Sequence, residues 1–398
     1  MSDLRPVLRY AGSFKALKVP PEGAIIEVPP GTYTDRCLFR TDGDVTIRWL
    51  DPTAPRPKFL GSFALSTPDR ERPGRGSLEL VGLELETPTG LPGMDGVGFV
   101  SGRKLMLDDM YVHGFKNGVM GSHVPPGHPT EVEIRRSEFY NCGQGGSSTH
   151  NIYMSRVGRF TFEDNYSHDS RGGHALKYIA LDARVRRNRL SNQVNGTTLI
   201  DGVACGTSVV TGNTLEHYAR YGTGKNLLEL RRRKSICGAE LPFGPYLLND
   251  EGWPYDLAGS QVNNTLEGMA IRDPRFWDPK FGFWWEVAAA GDRDHTNPWL
   301  FQHYLADNTF IEHGAPRTPL GVAISNEGTH PVENTPGASS STLIVPPPEG
   351  WVERSIAWVA KNRFEGDFGT EYDSTLAPVV DLGDDPPAWF TAIVGSAP

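Results

Sequence analysis

The chain reads as an all-β fold, a parallel solenoid, and three observations predict it. A short pattern recurs between Thr149 and Leu215: β-prone residues, a polar pair, an asparagine, then an apolar or aromatic position. Asn165, Asn188 and Asn213 mark three copies at nearly even intervals. The residues between them are strand formers without helical periodicity, and a period in the low to middle twenties suits one solenoid coil. The asparagine has a reason to recur: it tolerates a left-handed backbone at a tight turn, and its amide can hydrogen-bond to the coils above and below.

Taken in order, residues 1–60 read as a lead-in. Ala24–Val28 (AIIEV) is a buried strand, Pro29–Tyr33 (PPGTY) a turn, and Val45–Leu50 (VTIRWL) the next strand. A solenoid exposes the backbone edge and core of its first coil, so this segment is the expected cap. Proline- and charge-rich loops follow (PTAPRPKF, TPDRERPGRG), and from Ser77 the coils become regular. Asp109, Ser137 and Asn165 fall at equivalent turn positions, evenly spaced and slightly farther apart than the three asparagines, so the coils shorten towards the centre. Beyond Asn213 the pattern continues more loosely at Asn264, Asn308 and Asn362, with intervals about twice as long. Each interval fits two coils, or one coil plus a long loop. Arg231, Arg232, Arg233 and Lys234 read as a solvated basic turn. Residues 249–300 form a Trp-rich insertion, and the tail after Pro336 is loop-like and suited to capping the far end. Three parts result: a cap with first coils (1–76), a parallel β-helix (77–335), and last coils with a closing segment (336–398).

Bulk properties narrow the function. A formal charge of −9 and a pI near 5.7 argue against wholesale binding of nucleic acid or anionic membrane. Cys37, Cys142, Cys205 and Cys237 are scattered without a Cys-x-x-Cys pair, so buried free thiols are expected rather than zinc or a disulfide framework. The N-terminus lacks the apolar core of a secretory signal, and no stretch is long enough to span a bilayer as a helix. The expectation is a protein that stays in the cytoplasm, has lost a signal, or leaves by lysis, as virion tail proteins do.

Aligning the copies on their asparagines brings chemistry together. Tyr153, Lys177 and Asp201 precede Asn165, Asn188 and Asn213 by the same distance, to within a single position. His150, His174 and Thr198 each lie three positions earlier. In a solenoid these become neighbours at the strand spacing of about 4.8 Å. Parity along a strand puts the histidines on the opposite face from Tyr153 and Lys177 unless a bend intervenes.

These segments carry a resemblance. His150-Asn151-Ile152-Tyr153, Ser167-His168-Asp169 and Gly173-His174-Ala175-Leu176-Lys177 occur in an order that resembles a bacterial and phage group within the right-handed parallel β-helix, pectate-lyase-like superfamily. The likeness runs from about Ser77 to Leu215. The group often continues its third segment as Lys-Ser-Arg, where this chain has Lys177-Tyr178-Ile179. It often follows with Ile-Asp-Leu-Pro, where this chain has Ile200-Asp201-Gly202-Val203 and keeps the aspartate. The resemblance implies a single-stranded, right-handed β-helix. Superfamily members mostly cleave or epimerise acidic polysaccharides, and others are phage tailspikes that bind or depolymerise capsules.

The expected reaction is β-elimination of a uronate polymer by a carbon–oxygen lyase. It needs a cation near the sugar carboxylate, a base for the C5 proton, and an acid for the leaving glycosidic oxygen. Lys177, Arg171 and Arg156 suit the carboxylate; His150, His168 or His174 suit the base; Tyr153 suits the acid. A lysine among other cations also suits the base. Asn151, Asp201, Glu229, Trp284 and Trp285 are further candidates for holding the sugar. The tryptophans equally suit packing of the insertion, and His168-Asp169 equally suits a turn. A hydrolase would instead pair carboxylates such as Asp201 and Glu229. No cofactor is required, although Asp164, Asp169, Asp201 and Glu229 would suit Ca²⁺. The non-enzymatic alternative is a spike that grips a surface polysaccharide without cutting it. A tailspike would be a homotrimer, though no coiled-coil heptads accompany it.

Overall fold

Every pairing between described strands is parallel and joins a segment to its counterpart in a neighbouring coil. The computed structural model describes residues 4–66, 76–88, 93–100, 102–121, 131–143, 149–192, 198–218, 227–232, 301–313, 320–326, 355–366, 368, 370–373 and 379–395. Over these residues the chain winds as a parallel β-helix with three stacks of strands. A ten-stranded sheet from Thr32–Tyr33 to Arg363–Glu365 forms one stack, called third below. A nineteen-stranded sheet supplies the other two. Ile152–Glu163, Leu176–Arg186 and Ile200–Thr211 each serve both stacks of that sheet. Register shifts between Met154 and Val157, and between Ala180 and Asp182, mark where the first-stack half gives way to the second-stack half.

Strict alternation builds the core. Leu80, Leu107, Ile134, Phe162 and Val185 stack in register inside the second stack, all fully buried. Phe59, Leu85, Val112 and Phe139 do the same in the third. Each such side chain contributes roughly 1.5–3 kcal/mol on burial. At the N-terminal end the core is covered. Val7–Arg9 pairs with Gly23–Val28, and Tyr10 and Phe14 pack over the end of the core against Phe59. At the other end of the chain, the helix Ala388–Val394 lies along the side of the second stack. Phe390 and Val394 cover Val209, Tyr304, Ala306 and Ala360, outward positions that are apolar there.

A buried ladder runs along the corner between the second and third stacks. The Asn188 amide oxygen accepts from the Asn165 backbone N–H at 2.9 Å and from its side-chain amide at 3.1 Å. The Asn188 amide nitrogen donates to the Phe162 carbonyl at 2.7 Å and to the Asn213 amide oxygen at 2.9 Å. The same bonds link Asn213 to Asn308 and Asn308 to Asn362. The left-handed residue, however, precedes each asparagine: Asp164, Arg187, Asp307 and Lys361 have φ between 53 and 57°. An asparagine must aim its amide inward to satisfy the ladder, so its neighbour takes the turn and faces solvent. Asp109 is likewise left-handed and corresponds to Arg136 and Asp164, one position before Ser137 and Asn165.

The ladder passes directly from Asn213 to Asn308, so the two intervals around Asn264 make one coil step rather than several. Asn264 and the Trp-rich stretch lie outside the described residues. Residues 233–300 connect the first-stack strand Leu228–Arg232 to the second-stack strand Phe301–Ala306.

Replacing Asn188 with Ala strands buried backbone and amide groups on both neighbouring coils. The expected loss is about 3 kcal/mol in urea unfolding. Arg187→Ala, on the exposed side of the same turn, is expected to cost about 1 kcal/mol or less.

Candidate functional site

A second polar ladder occupies the corner that leads into the first stack. The Asn117 amide donates to Asp95 Oδ1 at 2.7 Å, and its oxygen accepts from the His150 backbone N–H at 2.8 Å. His150 Nδ1 accepts from the His174 backbone N–H at 2.9 Å. His174 Nδ1 lies 2.7 Å from the Thr198 carbonyl oxygen. The two imidazoles stack at 5.1 Å, only 10° from parallel. Gly173 is required here, because a Cβ at that position would collide with His150 Nδ1.

These bonds assign protons. His150 Nδ1 accepts a backbone N–H through its lone pair, so it carries no hydrogen and the ring proton sits on Nε2. Burial, reinforced by the neighbouring His174 and Lys177 charges, pushes the His150 pKa down to about 3, so the ring is neutral. A carbonyl only accepts, so His174 carries hydrogen on Nδ1. Its Nε2 then lies 3.4 Å from Asp201 Oδ2, a contact that is favourable when one of the two holds a proton.

Immediately beyond the corner, side chains point outward from the first stack in register. Tyr153 pairs with Lys177, Lys177 with Asp201, and Asp201 with Glu229. Lys177 Nζ lies 2.9 Å from Asp201 Oδ2 and 5.6 Å from the Tyr153 ring centre. Tyr153 also meets His150 edge-on at 5.3 Å. Asp201 is 1% exposed, whereas Lys177 is 22% and His174 12% exposed. A carboxylate buried that deeply persists as an anion only with such compensation. Strand parity alone separates the histidines from the ladder. His150 and His174 instead sit in the bend before their strands begin, which turns them toward it.

Other candidates fall elsewhere. His168 belongs to the third stack, where its Nδ1 meets Asp169 Oδ2 at 2.9 Å and its Nε2 meets Glu138 Oε1 at 3.2 Å, stacked on Tyr166. Asn151 is fully buried and points inward, accepting from Cys142 N–H and donating to the His168 carbonyl, so it is closed to a sugar. Arg171 follows the third-stack strand and bonds Asn141 Oδ1 through Nε. Arg156 lies at the bulge after Met154; its side chain is outside the described set, as are Trp284 and Trp285. The supposed calcium set does not converge. Asp164 pairs with Arg187 at 2.8 Å on the asparagine corner, Asp169 holds His168, and only Asp201 and Glu229 are neighbours. Among the described residues, metal-ligand spacing occurs at Glu84, Glu86 and His113, where Lys58 already bridges both glutamates.

Asp95 and Asn117 belong to this ladder although the repeat does not mark them, and Thr198, aligned with the histidines, takes part through its backbone carbonyl. Asn117 precedes His150 by 33 residues, a coil longer than the repeat that marks the others. The chain matches no family model, no curated protein and no solved structure.

The buried neutral His150 predicts a pH dependence. The unfolded ring takes up a proton near its ordinary pKa of 6.5, and the folded ring only near 3. Stability should therefore fall as pH drops from about 6.5 towards 3, by up to ~1.4 kcal/mol per unit from this group. His150→Gln keeps an acceptor for the His174 N–H. Urea midpoints at pH 7, 5 and 4 should show a shallower decline for that variant than for the wild type.

Proposed function

We propose that the chain binds and cleaves a uronate-containing polysaccharide by β-elimination on its first-stack face. The observation that carries this reading is the meeting of Lys177 and His174 at the buried Asp201, with Tyr153 one strand away against Lys177. Lys177 supplies the cation that faces the sugar carboxylate and makes the C5 proton acidic enough to leave. His174 is the base best supported among the three histidines. Thr198 fixes its Nδ1 proton, so Nε2 is the nitrogen that can gain or release one, with Asp201 beside it to stabilise the imidazolium. His150 is too buried and too weakly basic for that role and serves as a positioning residue for His174. As C5–H breaks, its electron pair forms the C4–C5 double bond and expels the glycosidic oxygen, to which the Tyr153 hydroxyl gives a proton. The sequence resemblance to pectate-lyase-like β-helices supports the same reading.

Hydrolysis is the second reading, favoured by the register pairing of Asp201 with Glu229, which sets two carboxylates on adjacent strands. The 1% exposure of Asp201 weighs against it as a nucleophile or base.

The test is ultraviolet absorbance over time on alginate, pectate, glucuronan and capsular polysaccharides, with and without Ca²⁺. One polymer should yield a rising signal, and Tyr153→Phe and Lys177→Ala should each lower the rate by roughly 10²–10⁴-fold. New reducing ends without absorbance would establish hydrolysis. Binding with neither would leave a glycan-gripping spike.

A further inference from the structure

The outward column that holds Tyr153 and Lys177 continues toward the N-terminal end of the helix. Tyr153 pairs with Met120, Met120 with Gly98, Gly98 with Ala64, and Ala64 with Leu38. The side chains at Gly98 and Ala64 are absent or minimal, so the column is low there. It ends at a groove of about 1060 Å³ between the strand Cys37–Arg40 and the segment around residues 14–21. Lys15 and Lys18 line one wall; Arg36 and Arg40 flank Leu38 on the other. All four cations are exposed, as is Leu38 at 47%. Among the described residues none of the four forms an ion pair, and Asp42 is the one carboxylate on the lining. Cations on the second stack behave differently: Lys104 pairs with Glu133, and Arg159 with Asp182.

We infer that this groove is a distal binding site for an anionic glycan that runs along the first stack, parallel to the helix axis, into the Tyr153–Lys177 site. The inference rests on the polyuronate reading above and extends it to substrate length. Leu38 lies five coil steps from Lys177, roughly 24 Å at about 4.8 Å per step. Only a chain of several sugars reaches both places. Arginine and lysine give charge-assisted hydrogen bonds to successive carboxylates, and Leu38 offers an apolar floor to the sugar's C–H face. The arrangement favours internal cleavage of long chains over trimming of short ones.

Calorimetric titration with tetramers and dodecamers of galacturonate, mannuronate and guluronate tests this, in a Tyr153→Phe background that slows turnover. Two double variants remove one wall each: Lys15→Glu with Lys18→Glu, and Arg36→Glu with Arg40→Glu. Unchanged melting temperatures check that they fold. For at least one sugar, the dodecamer should bind at least tenfold tighter than the tetramer. Each double variant should abolish that advantage and leave tetramer affinity within twofold. A dodecamer advantage that survives both variants, or a tetramer loss equal to the dodecamer loss, overturns the distal site while the polyuronate reading stands. Absence of binding by every oligouronate overturns both. Dodeca-glutamate binding as tightly as the best oligouronate would make the groove a dock for acidic polypeptide and overturn the glycan assignment.

Discussion

The buried asparagine ladder is the constraint on which the remaining geometry depends. Each amide satisfies backbone and side-chain groups of the coils on either side, so a coil cannot slip by one residue without stranding several buried polar atoms. Such a slip would also turn every inward side chain outward. With that corner pinned, the far ends of the long strands are pinned as well. Tyr153, Lys177 and Asp201 meet because the register set at Asn165, Asn188 and Asn213 is carried through strands of eleven or twelve residues, with bulges at matching places.

The opposite corner uses the same device with different residues. Asp95, Asn117, His150, His174 and Thr198 form a ladder in which two members are ionisable rings. One ring is locked neutral by burial and by the N–H it accepts. The other is held by a carbonyl on one side and faces a buried carboxylate on the other. A structural ladder thereby fixes the tautomers on which the proposed chemistry depends. The polar groups there are costly to bury, and they persist because each has a partner from an adjacent coil.

Charge is also distributed by face. On the second stack and along the asparagine corner, cations are matched with carboxylates, as in Lys104 with Glu133 and Arg187 with Asp164. Such exposed pairs add little stability but leave a neutral surface. On the third stack, Tyr140, Tyr166, His168 and Arg189 stack on one another and are tied to Glu138, Asp169 and Glu216. The first stack is different: its N-terminal groove presents cations to solvent in a chain whose formal charge is −9. The proposed anionic partner rests on that contrast.

The sequence by itself determined the parallel solenoid, its asparagine-marked coils and the alignment of Tyr153, Lys177 and Asp201, because one repeat places residues a coil apart in contact. It also aligned His150, His174 and Thr198. Tertiary structure decided what the repeat leaves open. The histidines come to the ladder only through a bend before each strand, which parity along the strand does not encode. The left-handed turn falls one residue before each asparagine, because inward hydrogen bonding and an outward turn compete for the same side chain. His168 and Asn151 sit in the right segments, yet one faces outward from another stack and the other points into the core. Asp164 and Asp169 lie more than a coil before Asp201 in sequence and sit at turns, not on its strand. Proximity across coils follows from periodicity; direction around the coil depends on where the backbone bends, and that is settled by packing.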